Sequence, residues 1–556
     1  MRIGDQNADI IVNTNNLFVN PQTKKRPNLT ASDWGRNWGK RYHQFAYRNS
    51  RMPFVGREKE RDELIDFLAG DQKFKWVFVT GRAGSGKSTL VYNVLHENAE
   101  IRKKWKIFGL TYKQLEDYSY SNICQLGIKK IVFVFDYVLS YAAEIGEWIE
   151  NIYSENEQSD IDIRIIVIER AYEKNNNPYW YIKLMTESRL DDVLGKEDGP
   201  YHVPLEKMSD EELQAIFVQY VQENAERYEQ IYSKKLDPLF CRAAAKLIIR
   251  NLDEKCKLPL YILYIADAWI SDYNKYGRGW NEEETLKHIV EKENQRIAKA
   301  FDNKKEPVEA LRTILAYVMA LKGLNLQKRE FLQNEFKVVR KNLNNANMYL
   351  RNVFNEIGNI SDGKENVLYS PLPDIVCEYY CLQFLEEKER DDFDNKFIPQ
   401  FVEQCWKADP NAFSEFLSRI IADFHNHSMV SFDYILKRPE SLAGENKKLY
   451  ADILQEYTYW NDSVVEYCNE ICVQYDEMLG QECDTKVMEA VYRAYAVTLF
   501  NMAYWYKKTI NKNEKWKHCM DLIYTRSSKI RRRNDKTIQM ACNVIEKIRD
   551  EEKRED

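Results

Sequence analysis

The stretch Trp76–Asn93, WVFVTGRAGSGKSTLVYN, constrains this chain more than any other. It opens on an apolar, β-branched run, Trp76 to Thr80, which the pattern predicts as a buried strand. It closes on Ser88–Leu95, where Leu90, Val91, Val94 and Leu95 fall on one helical face. Between them Gly81-Arg82-Ala83-Gly84-Ser85-Gly86-Lys87-Ser88 fits G-x-x-x-x-G-K-[ST] at every fixed position. Gly81, Gly84 and Gly86 lack a Cβ, so the backbone can curl around a phosphate and aim N–H groups at it. A helix N-terminus adds partial positive charge. Lys87 can reach the β- and γ-phosphates of ATP or the β-phosphate of ADP, Ser88 can ligate Mg²⁺, and Ser85 and Thr89 complete the candidate cradle. A glycine-rich turn that matches by accident is the plain alternative, and the strand and helix on either side argue against it.

A second apolar run ends in a carboxylate. Ile131-Val132-Phe133-Val134-Phe135-Asp136 reads as a strand buried on both faces, as in a parallel sheet. Its last residue then emerges at the carboxyl edge, where ligands bind. Asp136 is the candidate partner of Ser88 at a metal ion. Alone, the run is equally a core strand followed by a helix-capping Asp. Asp162–Arg170 (DIRIIVIER) predicts a third core strand, ending at Glu169-Arg170. A guanidinium there is always charged and forks onto phosphate oxygens. A surface Arg at the start of a loop is the alternative.

The chain has 556 residues, 44% hydrophobic and 30% charged, which is globular composition with room for several domains. The net charge of −6 argues against nucleic-acid binding by the chain as a whole. No run of about 18 apolar residues predicts a membrane span, and the N-terminus has no signal-peptide core. The eleven Cys are scattered without C-x-x-C and read as buried thiols, so the expected location is cytoplasmic.

Five segments follow from the composition shifts. Residues 1–51 form a basic, partly ordered arm, with eight Lys/Arg against three Asp/Glu over the first fifty, including Lys24-Lys25-Arg26. Residues 52–205 hold the glycine loop and the strand candidates. From Ser209 the chain turns helical, and residues 206–303 include Leu258-Pro259-Leu260, a proline at the first turn of an apolar helix. Residues 304–392 mix helices with short strand pieces. Residues 393–556 read as six to eight helices rich in aromatic residues, one of which (Tyr492–Tyr506) is similar to a tetratricopeptide helix, though no clean repeat emerges.

Taken in order, Val55-Gly56-Arg57-Glu58, the Walker A form at Gly81–Ser88, the Walker B form at Ile131–Asp136, Arg170 and the Leu258-Pro259-Leu260 helix resemble a bacterial STAND P-loop NTPase of the NB-ARC, NACHT and AAA+-like kind. The resemblance covers about residues 52–390. It implies an α/β P-loop NTPase domain with a parallel sheet, a helical lid, a winged-helix-like module and an all-α C-terminal region. It implies that Val55, Gly56 and Arg57 line the adenine side, that Pro259 packs on the adenine, and that Arg170 senses the γ-phosphate. Lys257 stands where the lid motif has Gly. It further implies a slow ATPase that switches between ADP and ATP forms, becomes a homo-oligomer on activation and acts on a separate effector protein, plausibly in antiphage defence. Tyr137 stands where motor-type relatives place a glutamate that activates water, and Glu144 and Glu147 are the nearby substitutes. An AAA+ motor and a DNA-binding winged-helix regulator stay as alternatives. The first is disfavoured by Tyr137, the second by the acidic balance despite Lys337–Lys341.

Overall fold

A computed structural model describes residues 54–555 except 111–114, 137, 139–140, 157–159, 171–178, 183, 186–199, 272–280, 326–329, 343–366, 369–373, 392–395, 426–434, 441, 443–445, 462–463, 481–484, 509–513 and 534, together with Val12–Asn13 and Asn16–Leu17. The expectations for the Lys24–Arg26 arm and for Tyr137 therefore lie outside the described residues.

Five parallel strands form the central sheet: β1 (Phe74–Thr80), β2 (Lys106–Gly109), β3 (Lys130–Asp136), β4 (Asp162–Glu169) and β5 (Tyr201–Pro204), in the order β2-β3-β4-β1-β5. Each of the apolar runs is a strand because both of its faces are covered. Trp76, Phe78, Phe133 and Ile165 point to one side, against Trp148 and Ile149 of α3 (Ala142–Asn156). Val77, Val79, Val132, Val134 and Ile166 point to the other, against α1 (Glu58–Ala69) and α2 (Lys87–Tyr92). Alternation sorts the side chains between two helical layers, so a parallel strand needs apolar residues at every position.

Register then places the ends of the strands. Thr80 pairs with Glu169 across β1 and β4, and Asp136 with Ile168 across β3 and β4. The glycine loop, Asp136 and Glu169-Arg170 therefore leave the sheet at one edge, with β4 between the other two strands.

The remainder is largely helical. α4 (Asp210–Glu223) starts at a capping box in which Ser209 and Glu212 satisfy each other's backbone N–H groups. It packs with α5 (Pro238–Arg250) and α6 (Pro259–Ser271), held by the buried Asp267, which accepts from Tyr220, Arg227 and Lys292. Next come α7 (Lys305–Ala320), an antiparallel pairing of Leu324–Asn325 with Val367–Leu368, and α8 (Asp374–Asp391). Beyond it lie α9 (Pro410–Phe424), α10 (Asn446–Asn461), α11 (Val464–Leu479), α12 (Thr485–Lys508) and two further helices, Glu514–Ile530 and Lys536–Glu555. Among the described residues, no helix is long and apolar enough to cross a membrane.

Candidate nucleotide site

The loop between β1 and α2 takes a shape that only glycine adopts freely. Gly84 and Gly86 have φ of +79° and +92°. A Cβ on Gly84 would lie 3.2 Å from Leu260, whereas one on Gly86 would meet no protein atom within 4 Å. Lys87 is buried, and its ammonium donates to the carbonyls of Gly81 at 2.8 Å and Arg82 at 3.0 Å, which closes the loop on itself. Burial pulls this ammonium down to about 7, and the charge of Arg170 pushes the same way against Glu169, Asp423 and Asp136. The Ser85 hydroxyl is buried with no hydrogen-bond partner among the described residues. A polyanion in this loop would relieve both the cationic crowding and the orphaned hydroxyl.

Ser88 and Asp136 meet across the sheet edge: Ser88 Oγ donates to Asp136 Oδ1 at 3.2 Å. Burial pushes the Asp136 carboxyl up to about 6, with Asp374 adding to the rise and Lys322, Lys87 and the Ser88 hydroxyl opposing it. Two hard oxygen donors side by side, one of them a desolvated carboxylate, fit Mg²⁺, which prefers one or two protein oxygens plus phosphates. The residues present thus suit a Mg²⁺-nucleotide, with Lys87 and the loop toward the phosphates and Ser88 and Asp136 toward the metal.

The helical region beyond the sheet comes down on the same loop. Leu260 N–H, one residue beyond Pro259 in α6, donates to Gly84 O at 3.3 Å. Arg82, for which the sequence offered no role, reaches the Lys255 carbonyl at 3.3 Å and Glu282 at 3.5 Å, so the loop grips the helical region from its exposed side. Lys257 is buried and pairs with Asp210 and Glu254, both at 2.9 Å, which explains a long side chain at this position. Val55 is half-buried at the entry. Gly56 (φ +74°) and Arg57 (φ +64°) both turn left-handed there. A Cβ on Gly56 would strike Met208 at 2.6 Å, and Arg57 is tied to Glu60 at 2.7 Å and to the Glu206 carbonyl at 2.5 Å. Thr89 sits half-buried in the first turn of α2.

Glu169 and Arg170 divide the remaining work. The buried Glu169 carboxylate accepts from the backbone N–H groups of Val138 at 2.8 Å and Arg170 at 2.7 Å, fixing the two strand ends to each other. Arg170 turns away from the sheet. Its Nη2 lies 2.6 Å from Asp423 in α9 and 3.9 Å from Glu378 in α8, and only 12% of its side chain is exposed. Glu378, in turn, takes Arg419 at 2.6 Å, and burial raises its carboxyl above the ordinary carboxylate range. Sequence reading missed Asp423, Glu378 and Arg419. The available signal was a charge on a helix with no exposed face: α8 is buried from Ile375 through Leu382 and includes Glu378.

The two glutamates suggested as a water-activating base do not face the site. Glu144 pairs with Lys448 of α10 at 3.3 Å, and Glu147 lies 3.9 Å from Arg493 of α12. Both belong to the contact between α3 and the C-terminal helices, because the inward face of α3 is given over to Trp148, Ile149 and Ile152.

A glycine loop on a buried strand, a strand next but one to it that ends in a carboxylate beside the loop's serine, and a five-stranded parallel sheet define a P-loop NTPase fold. Residues 53–181 match the family model described as Novel STAND NTPase 5. That unit is a STAND-class P-loop NTPase domain, and the described residues beyond the sheet are mostly helical. No curated protein matches the chain. Among solved structures it is similar to a point-mutant RuvB of Thermotoga maritima, at 15% identity over 48% of this chain and 79% of that one, with a TM-score of 0.27. It is also similar to Drosophila ORC bound to DNA, at 12% identity over 52% and 82%, with a TM-score of 0.28.

Proposed function

We propose that the chain is a cytoplasmic, ATP-binding signalling switch that hydrolyses ATP slowly and passes between a closed ADP form and an open, self-associating ATP form. The observation that carries this reading is the pairing of Arg170 with Asp423. Arg170 stands at the end of β4, close enough for its charge to act on Lys87, and it is held by a helix of the C-terminal region. ATP has a γ-phosphate and ADP does not. An anion at that place competes with Asp423 for one guanidinium, and only such a differential contact shifts a conformational equilibrium.

The residues divide the work by chemistry. Lys87 and the glycine loop hold the phosphates, Ser88 and Asp136 hold Mg²⁺, Val55–Arg57 and Pro259 flank the base, and Arg170 reports on the third phosphate. Mg²⁺ supplies charge neutralisation at the phosphates. Glu144 and Glu147 are engaged elsewhere, which suits a protein that holds its nucleotide rather than one that turns it over. In the setting the resemblance implies, the open form acts on a separate effector in antiphage defence. The test is the nucleotide carried by the purified chain, its turnover and its mass. ADP should co-purify, and turnover should fall well below about one per second. Arg170→Ala should bind ADP but fail to self-associate with ATP. A monomer that hydrolyses many ATP per second would refute the switch.

A further inference from the structure

α5 presents an outer face that its own chain leaves uncovered. Asp237 caps the helix by accepting from Leu239 N–H at 2.9 Å, and Pro238 stands in the first turn, so the rotation of every later residue is set. Cys241, Ala245, Ile248 and Ile249 fill an arc of about 100° and are buried in the helical core. On the other side Leu239, Ala243, Leu247 and Phe240 span another arc of about 100°. Leu239 is 72% exposed and Leu247 54%. Arg242, Lys246 and Arg250 follow along an adjoining arc of about 80°, all exposed, and no ion pair holds any of them among the described residues.

The face runs on past the start of α5. Trp269 of α6 stacks on Tyr228 of the short helix Ala225–Tyr232 at 5.6 Å and meets Phe240 at 5.7 Å, so that helix and the head of α5 share one end of α6. Ile231, 45% exposed, is three residues on from Tyr228 and on the same side of its helix. Ser233 turns left-handed at φ +52°, and the exposed Lys234 and Lys235 lie between the two helices. From Ile231 to Arg250 there are five Lys/Arg and one Asp, and that Asp is the cap. The flanking carboxylates are mostly turned away or engaged. Glu226 and Glu229 lie about 140° and about 160° round their helix from Ile231. Asp253 accepts from Lys255 N–H, and Glu254 pairs with Lys207 and Lys257. On α4, Asp210 holds Lys257 and Glu212 holds Ser209, which leaves Glu211 and Glu223 exposed at its two ends.

Four of the eight large apolar side chains exposed among the described residues thus fall within residues 231–247, edged by charge of one sign. Single exposed apolar residues are ordinary, but a continuous stripe is not. Between Pro238 and Arg250 no amide or hydroxyl side chain offers a partner protein a polar contact of fixed geometry. A nucleic-acid backbone would pair the cations and leave Leu239 and Leu247 in water. A layer of anionic lipid answers both, because acyl chains take the apolar arc while headgroups take the cations, whose long stems reach along the helix. We propose that the outer face of α5 binds the surface of an anionic membrane, with α5 lying in the plane of the interface. The contact is peripheral and reversible. It goes beyond the switch proposed above and needs no nucleotide.

The test is flotation of the full chain with vesicles of phosphatidylcholine, alone or with about a third phosphatidylserine, at about 0.05 M and about 0.3 M salt. The chain should float with the anionic vesicles, less so at the higher salt, and stay behind with the neutral ones. Reversing the basic arc (Arg242→Glu, Lys246→Glu, Arg250→Glu) should weaken binding at least tenfold. Arg242→Lys with Arg250→Lys should keep it, because a lipid surface reads charge rather than the guanidinium fork. Leu239→Asp with Leu247→Asp should weaken it at both salt concentrations. All these positions are exposed, and unchanged thermal unfolding verifies the fold. Four results would each overturn the proposal. The parent could fail to float with anionic vesicles at either salt concentration. The α5 reversals could leave flotation unchanged. Flotation could be lost on reversing Lys24, Lys25 and Arg26, or Arg532, in place of the α5 set. The chain could bind a DNA duplex as tightly as the vesicles, with the two leucine substitutions without effect on either, which would assign the cations to phosphate alone. Because no nucleotide is added, the outcome stands whether or not the switch does.

Discussion

Replacing Asp423 by Asn should release Arg170 and tilt the chain toward its open form. The amide keeps the shape of the carboxylate and removes its charge. Arg170 Nη2 sits 2.6 Å from Asp423 in a place where little of either side chain reaches water. Breaking one partner of a buried pair costs about 3–5 kcal/mol when nothing else compensates. Here Glu378 compensates in part, at 3.9 Å, but it already holds Arg419 at 2.6 Å. We therefore expect the closed form to lose about 2–3 kcal/mol, which moves the closed–open equilibrium roughly 30- to 150-fold. The assay is the off-rate of a fluorescent ADP and the mass of the chain with ATP and no trigger. ADP should leave faster, and self-association should appear at lower concentration. Glu415→Gln is the control, since Glu415 lies on the same helix and pairs with Lys322 and Arg419 but not with Arg170. If Asp423→Asn behaves as the parent, or if Glu415→Gln does the same as Asp423→Asn, Arg170 is held for stability alone and the latch reasoning fails.

Other substitutions test the site and its scaffold. Lys87→Ala should remove most ATP affinity while the chain stays folded, as read by calorimetry; unchanged binding in a folded variant would show that the phosphates sit elsewhere. Asp136→Asn keeps the hydrogen bond to Ser88 within reach and removes the charge, so nucleotide binding should lose its Mg²⁺ dependence, measured by titration with and without the metal. Asp267→Asn should destabilise the packing of α4, α5 and α6 by about 2–3 kcal/mol in denaturant unfolding, less than a fully sealed pair because Arg227 and Lys292 can regain water. The Arg227 and Lys292 charges hold the Asp267 carboxyl below its ordinary value despite its burial. Its folded pKa is lowered, so the stabilisation is present above the unfolded value near 3.9 and is lost as pH falls through the folded one. Parent and variant should therefore converge in stability only in strong acid.

The NTPase core was legible in the sequence because its constraints are local. Two glycines, a lysine and a serine must stand at fixed places within eight residues, and a strand covered on both faces must be apolar without a break. Trp76–Thr80 and Ile131–Asp136 therefore announced themselves, and the sheet register brought Ser88 and Asp136 together as their chemistry required. Arg170 could be placed at a strand end, but its partners could not, because Asp423 and Glu378 sit on distant helices whose periodicity speaks only of burial. Glu144 and Glu147 misled for the complementary reason. Proximity in sequence to Asp136 suggested the site, but helical rotation turns them outward to Lys448 and Arg493.

The ion pair between Glu144 and Lys448 spans 304 residues of sequence. A ribosome adding about 5–20 residues per second needs roughly 15–60 s to traverse that distance. For most of that interval, from the completion of β5 at Pro204, the sheet has every strand while α9, which carries Asp423, has still to be made. Each newborn copy therefore passes through a period in which its glycine loop meets cellular ATP before Asp423 exists to hold Arg170. On the switch proposed above, the resting form is reached only once the last helices fold back onto α3, and a stalled or truncated product is born without its restraint.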